Sequence, residues 1–244
     1  MSGVAQGAAV VRFAMMSVFD HIPAHCPLCQ SRVRGVTLCE GCLADLDARE
    51  RQASPPRCRR CGLRADVQAR CCSGCRDLDA PWACVVIAMP YERPYSTLIS
   101  RFKHSRQLWL GTCLAGLMWR CRPDGWVPDR IVPIPSSRAA LRQRGFNPAG
   151  ELARGLGRVW HRPVSATGLA RTRDGPKQSE LGHLQRQIEA VDLFCATRSL
   201  SGERVVLVDD VMTTGATVNA AACALLDAGA REVIVMAAAR TQRL

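Results

Sequence analysis

An α/β fold is predicted, with a mostly parallel sheet covered by helices on both faces and a cysteine-rich module ahead of it. Three observations carry this. Apolar runs suited to buried strands, at residues 82–89, 129–135, 205–208 and 232–239, alternate with segments whose apolar residues have helical spacing, the pattern of a sheet buried on both sides. One run ends on Asp209 and Asp210, then passes through a hydroxyl-rich turn into a helix. Nine of the fourteen cysteines fall between Cys26 and Cys75, mostly as Cys-x-x-Cys pairs.

The 244 residues suffice for one α/β core plus a smaller module, and 48% of them are hydrophobic. Aromatics make up only 5%, which argues against base stacking on exposed rings. Formal charge is +12, unevenly spread: residues 1–80 hold eleven Arg against eight acidic residues, and the remainder 22 basic against 13 acidic. Phosphate-rich ligands or nucleic acid are the natural partners of such a surface. No apolar run approaches the ~18 residues of a membrane helix, so no membrane insertion is expected. The stretch 8–19 is broken by Arg12 and lacks a basic leader or small-x-small site. It reads as no signal peptide, and the expected location is the cytoplasm.

The expected organisation is an N-terminal segment (1–25), a double metal ribbon (26–80) and an α/β domain (81–244). In the ribbon, Cys26-Pro-Leu-Cys29 and Cys39-Glu-Gly-Cys42 form one set, and Cys58-Arg-Arg-Cys61 and Cys72-Ser-Gly-Cys75 a second. Each pair can place two thiolates about 2.3 Å from one metal, and two pairs complete a tetrahedral four-sulfur zinc site. Such closed sites are structural. One or two Zn²⁺ are expected, with sequential or interleaved pairing both open. Cys72 is preferred over Cys71 because it keeps the two-residue spacing. Gly41, Gly62 and Gly74 are expected to give tight knuckle turns. Residues 50–57 read as a linker between the sets.

Beyond residue 80 each element follows from local pattern. A strand at 82–89 leads to a helix at 96–104, where Leu98, Ile99 and Phe102 share a face and Lys103 and His104 close the last turn. Residues 109–119 form a second amphipathic stretch with Cys113 as a core thiol. The strand at 129–135 delivers Ser136, Ser137, Arg138, Arg142 and Arg144, five donors suited to an anionic group. Asn147 before Pro148 signals a helix from 148 to about 160. A short strand is expected at 164–169, then a polar segment at 171–179 and a helical one at 181–190. Phe194 and Cys195 are expected to return to the core.

The stretch 204–217 reads as an anion cradle. Aliphatic residues 205–208 form a buried strand, Asp209 and Asp210 end it, and Val211, Met212, Thr213, Thr214, Gly215, Ala216 and Thr217 lead into a helix that stops near Gly229. Backbone N–H groups and the positive helix end suit a phosphate. Carboxylates repel phosphate but accept hydrogen bonds from sugar hydroxyls and attract a divalent cation. Walker and Gly-x-Gly-x-x-Gly patterns are absent from this sequence.

These residues resemble the 5-phosphoribosyl-1-pyrophosphate (PRPP) motif of type I phosphoribosyltransferases. Over 26–240 the chain is similar to the ComF family, through both cysteine sets, Phe102-Lys103, Val132-Pro133-Ile134-Pro135, Arg144-Gly145-Phe146-Asn147, Arg171-Thr172 with Gln178, and Asp209-Asp210-Val211-x-Thr-Thr-Gly. The resemblance implies a type I phosphoribosyltransferase sheet behind a double zinc ribbon, in a protein linked to natural transformation and DNA uptake. It implies ribose hydroxyls on Asp209 and Asp210, the 5-phosphate on 211–217, and pyrophosphate with Mg²⁺ near Ser136, Ser137, Arg138 and Lys103. Arg171, Gln178 and Arg186 would belong to a flexible covering loop. PRPP or ribose-5-phosphate is the implied ligand, with single-stranded DNA and the uptake machinery as partners. Where the family pattern has Asn-Val-x-Gly-Ala-Phe, this chain has Glu189-Ala190-Val191-Asp192-Leu193-Phe194. Several readings stay open at this level: a PRPP-dependent transferase of the competence type, a nucleotide-salvage phosphoribosyltransferase, a non-catalytic single-stranded-DNA-binding module that keeps the pocket, and a PRPP-sensing regulator.

Overall fold

The computed structural model describes residues 22–52, 56–65, 67–68, 71–76, 80–172 and 193–241. Its core is a four-stranded parallel sheet with strand order β5-β10-β9-β6, formed by β5 (Cys84–Pro90), β6 (Arg130–Pro133), β9 (Arg204–Met212) and β10 (Glu232–Arg240). The two central strands are nine residues each and apolar almost throughout, as burial on both faces requires. Alternate residues serve the two faces. Val206, Val208, Ile234 and Met236 pack against helices α3 (Tyr95–His104), α4 (Leu110–Arg120) and α6 (Pro148–Trp160). Val205, Leu207, Val233 and Val235 pack beneath α7 (Ala216–Asp227) through Val218, Ala221, Ala222 and Leu225. Helices therefore cover both faces, as expected.

Several elements depart from the sequence reading. Residues Arg138–Arg144 form a short helix, α5, capped by the Ser137 hydroxyl accepting from the Ala140 amide and closed by Gly145 at φ +83°. Val164 makes only an isolated bridge to Ile131, and the strand there is β7 (Leu169–Arg171), paired with β8 (Phe194–Ala196). In that ribbon Phe194 faces the core and Cys195 points to solvent, because successive strand residues face opposite ways. The core assignment of Cys195 is thus corrected. Cys113 is buried, as expected.

In front of the sheet lie β1 (Pro23–His25), β2 (Arg32–Arg34), α1 (Glu40–Gln52), β3 (Val67–Gln68), β4 (Cys71–Cys72) and α2 (Ser73–Arg76). The expected linker at 50–57 starts later than predicted, because α1 continues to Gln52 and Glu50 pairs with both Arg57 and Arg64 at 2.9 and 2.7 Å. Gly41 and Gly74 sit in helices with open space around them; of the three knuckle glycines, only Gly62 adopts a positive φ, +71°. Cys26, Leu38 and Leu46 join the core cluster that contains α3 and α4, so the first ribbon packs on the α/β domain. Among the described residues no helix is long and apolar enough to cross a membrane.

Candidate functional site

The site opens where strand lengths become unequal. β6 stops at Pro133, opposite Val208, whereas β9 runs on to Met212 beside β10. The strand end of β9 thus borders a crevice at the C-terminal edge of the parallel sheet, the usual ligand position in open α/β folds. A cavity of about 230 Å³ lies there. Its lining includes Asp209, Asp210, Val211, Met212, Thr213, Gly215 and Thr217 from one side, and Ser136, Ser137 and Arg171 from the other. Arg144, one of the expected anion donors, lines it too, as do Asn147 and Ile134, which sequence reasoning gave no ligand role. Arg138, Thr214, Ala216 and Lys103 are not in the lining. Gln178 and Arg186, and the family departure at Glu189, lie outside the described residues.

Local sequence explains each wall. Gly215, at φ +88°, is the residue before α7, and no side chain caps that helix. A Cβ there would lie 2.9 Å from the Met212 methyl, the far end of a flexible side chain, so it is the positive φ that calls for glycine. The first-turn amides of α7 point toward the cavity end, and the Thr214 hydroxyl accepts only a long 3.4 Å bond from the Ala216 amide. On the opposite wall Asn147, expected to cap α6, does different work. Its amide donates to the Ile134 carbonyl at 3.0 Å, and its carbonyl oxygen accepts from the Ser136 hydroxyl at 3.0 Å. Ser136 and Ser137 hydroxyls are therefore tied into the turn that shapes this wall. Phe146 packs edge-on against Phe102, with centroids 5.5 Å apart, which fixes α3 and its Lys103 near the same corner.

The two aspartates are held differently. Asp210 is 9% exposed and its Oδ2 pairs with Lys103 Nζ at 2.9 Å, while its Oδ1 accepts from the Val211 amide at 2.7 Å. Asp209 Oδ1 accepts from the Asp210 amide at 2.8 Å. Burial, reinforced by the neighbouring Asp210 carboxylate, pushes the Asp209 carboxyl up to about 8, against the opposing pull of the Asp210 amide and Lys103. A cation or a pair of sugar hydroxyls would relieve that repulsion, which is the chemistry such a pair offers.

Two further clusters lie in the front module. The sulfurs of Cys26, Cys29, Cys39 and Cys42 fall within 4.8 Å of one another, as do those of Cys58, Cys61, Cys72 and Cys75. Pairing is therefore sequential, and Cys72 rather than Cys71 belongs to the second set. In each set the thiols diverge. The Ser31 hydroxyl and amide lower Cys29 to about 6, while burial raises Cys42. Burial opposes ionisation of Cys58, but the Cys72, Cys61 and Arg60 amides bring it to about 7, whereas burial lifts Cys61 to about 11. Crowded thiols of this kind ionise together only around a cation. Two all-sulfur tetrads fit two structural Zn²⁺ ions.

A parallel sheet with an acidic pair near the end of one central strand, followed by a glycine turn into a helix, defines a type I phosphoribosyltransferase-like domain. The phosphoribosyl transferase domain family accordingly matches residues 114–243. The chain belongs to the Competence protein F family. It is 30% identical over 235 residues to Competence protein F of Haemophilus influenzae, covering 93% of this chain and 100% of that protein. Similarity to DNA utilization protein YhgH of Escherichia coli K12 is 33% over 190 residues, covering 75% and 84% of the two chains. Competence protein ComFC of Bacillus subtilis is 35% identical over 105 residues, 42% of this chain and 41% of that one. Among solved structures, the glutamine PRPP amidotransferase from B. subtilis overlaps 52% of this chain and 25% of its own at 24% identity, with TM-score 0.33. Purine phosphoribosyltransferase from Pyrococcus horikoshii overlaps 56% and 71% at 21% identity, with TM-score 0.30.

Proposed function

We propose that the cavity binds PRPP or ribose-5-phosphate and that the protein acts on it in the handling of incoming DNA, in the cytoplasm. The observation that carries this is the meeting, around one cavity, of the Asp209–Asp210 pair and the Gly215 turn. The 5-phosphate sits on the amides of 213–217 at the positive end of α7. The ribose hydroxyls donate to Asp209 and Asp210, which favours the ionised form of Asp209. The pyrophosphate group extends toward the Ser136–Arg138 turn, near Arg144, and Mg²⁺ bound with the substrate would screen its charge. Lys103 acts through Asp210, holding that carboxylate in place.

As a transferase, the site would break the C1–O bond of PRPP, leaving positive charge on the sugar and negative charge on departing pyrophosphate. Arg144 and the amides preceding α5 stand on the side where the negative charge develops. Arg171, at the cavity rim and over the Phe194 ring at 5.5 Å, would help close the site against water. The names of the relatives, two of them competence proteins and one a DNA utilization protein, support nucleic acid as partner or acceptor. The +12 formal charge supports the same partner.

Calorimetric titration with PRPP plus Mg²⁺ and with ribose-5-phosphate tests binding. Pyrophosphate release with and without single-stranded DNA then tests transfer. Absence of heat with either ligand would sink the reading; binding without pyrophosphate release would restrict it to a non-catalytic pocket.

A further inference from the structure

Arg240 closes β10 and is 1% exposed, the bulkiest of the fully buried side chains among the described residues. A buried guanidinium is costly unless its donors meet acceptors, so its partners are informative. Nε donates to the Cys61 carbonyl at 2.9 Å, and Nη1 donates to the Met212 carbonyl at 3.0 Å. Cys61 belongs to the second sulfur tetrad. Met212 opens the turn read above as the 5-phosphate cradle.

Both ends of this bridge are stiff. The Cys58–Cys61 knuckle has its following carbonyls occupied in succession. Arg59 O accepts from the Val85 amide at 2.7 Å and Arg60 O from Trp82 Nε1 at 2.8 Å. Cys61 O takes Arg240, and Gly62 O accepts from Arg57 Nη1 at 3.0 Å. Gly62 is pressed onto β5 so closely that a Cβ would meet Ile87 Cγ1 at 2.7 Å. At the other end the Met212 carbonyl also accepts from the Thr241 amide at 3.2 Å. The Met212 methyl fills the space beside Gly215 where a side chain would otherwise sit. Met212 is bonded directly to Thr213, so a shift of its carbonyl is carried by the backbone into the turn. The first tetrad is docked elsewhere, through Arg101 to Pro27 O at 2.7 Å and Arg120 to Asp47 at 2.7 Å.

From this geometry we infer that Arg240 is a positioning residue that couples the second metal site to the phosphate-binding turn. Metal on Cys58, Cys61, Cys72 and Cys75 fixes the Cys61 carbonyl, the guanidinium holds Met212 against it, and residues 213–217 keep their ligand-ready form. Loss or oxidation of that metal site then loosens the turn, and by linkage a ligand on the turn protects the metal site by the same factor. This inference rests on the reading of 213–217 as the phosphate site, and its test separates the two.

The test uses full-length, zinc-loaded protein, Arg240→Met, and Arg240→Lys, which keeps the charge but lacks the fork that reaches both carbonyls. In the first arm, hydrogen exchange of the 211–217 amides is followed by mass spectrometry before and after a chelator strips the metal. α6 serves as the internal reference. Wild type should show exchange of 211–217 faster by at least about 5-fold on stripping, with α6 unchanged. Both variants should exchange fast with metal bound and respond little to its removal. In the second arm, alkylation of each cysteine is measured with and without ribose-5-phosphate. The ligand should slow modification of the second tetrad by about 5-fold or more in wild type only, and leave the first tetrad unaffected.

Exchange of 211–217 that ignores metal removal in wild type overturns the coupling. So does a rise shared equally by α6, which would mean general unfolding, or variants that behave as wild type. If the variants do not fold, the wild-type exchange arm decides alone. If that arm behaves as expected while calorimetry detects no ribose-5-phosphate, the coupling stands and the ligand reading falls.

Discussion

Replacing Asp209 by asparagine should stabilise the protein while impairing its site. The Asp209 carboxyl is raised from an ordinary 3.8 to about 8, chiefly by burial and then by Asp210. In the unfolded chain it ionises near its ordinary value; in the folded protein it keeps its proton to much higher pH. Between roughly 4 and 8 the folded state therefore binds more protons, and stability falls as pH rises, at most about 1.4 kcal/mol per unit for one proton. Across that window the ceiling is about 5 kcal/mol. Effective screening in proteins and the partial exposure of Asp209 cut this to an expected ~1–3 kcal/mol. Asparagine keeps an amide oxygen to accept the Asp210 N–H and carries no charge to bury. For a chain of this size ~1–3 kcal/mol corresponds to about 2–10 °C in Tm. Thermal unfolding of zinc-loaded wild type and Asp209→Asn, followed by circular dichroism at pH 8 and at pH 4.5, should show a gain at the higher pH that shrinks toward the lower. A loss of Tm at pH 8, or an equal change at both pH values, refutes the reasoning.

Gly215→Val requires a β-branched residue at φ +88° and a Cβ 2.9 Å from the Met212 methyl; the expected cost is about 2–3 kcal/mol, with ribose-5-phosphate affinity down at least 10-fold by calorimetry. Lys103→Met removes the 2.9 Å partner of Asp210 and one of the influences that lower Asp209. PRPP binding should weaken about 10-fold or more, with its pH profile displaced upward and the far-ultraviolet spectrum unchanged. Metal analysis should return two zinc ions per chain, falling to one in Cys58→Ser, with Tm lower because metal binding is folding energy here. Gly62→Ala introduces a Cβ 2.7 Å from Ile87 Cγ1, and limited proteolysis should then cut the second ribbon faster while sparing α6.

Features set by short spacing were legible from the chain alone. The Cys-x-x-Cys pairs fix two sulfurs each without help from the rest of the fold, and Cys72 follows from that spacing over Cys71. The run from Val205 to Thr217 likewise encodes its own strand, acidic end and glycine turn, because each depends on neighbours a few residues away. Side-chain direction was harder. Asn147 reads as a helix cap, yet it spends both ends of its amide on Ser136 and Ile134. Ser136 reads as an anion donor, yet its hydroxyl turns toward Asn147. Cys195 reads as core, yet the pairing register of β8 turns it outward.

What the sequence by itself determined is the inventory of local devices: two four-sulfur sets, a buried parallel strand carrying Asp209 and Asp210 near its end, and a hydroxyl-rich turn around Gly215. Tertiary structure decided which of these devices touch. It paired the tetrads sequentially, brought Lys103 from α3 onto Asp210, and set the Ser136–Asn147 turn across the cavity from Gly215. It also buried Arg240 between Cys61 and Met212. Nothing in an apolar run ending in arginine announces such a bridge, because its acceptors are backbone carbonyls. Every residue carries one, so only the folded chain selects which of them the guanidinium meets.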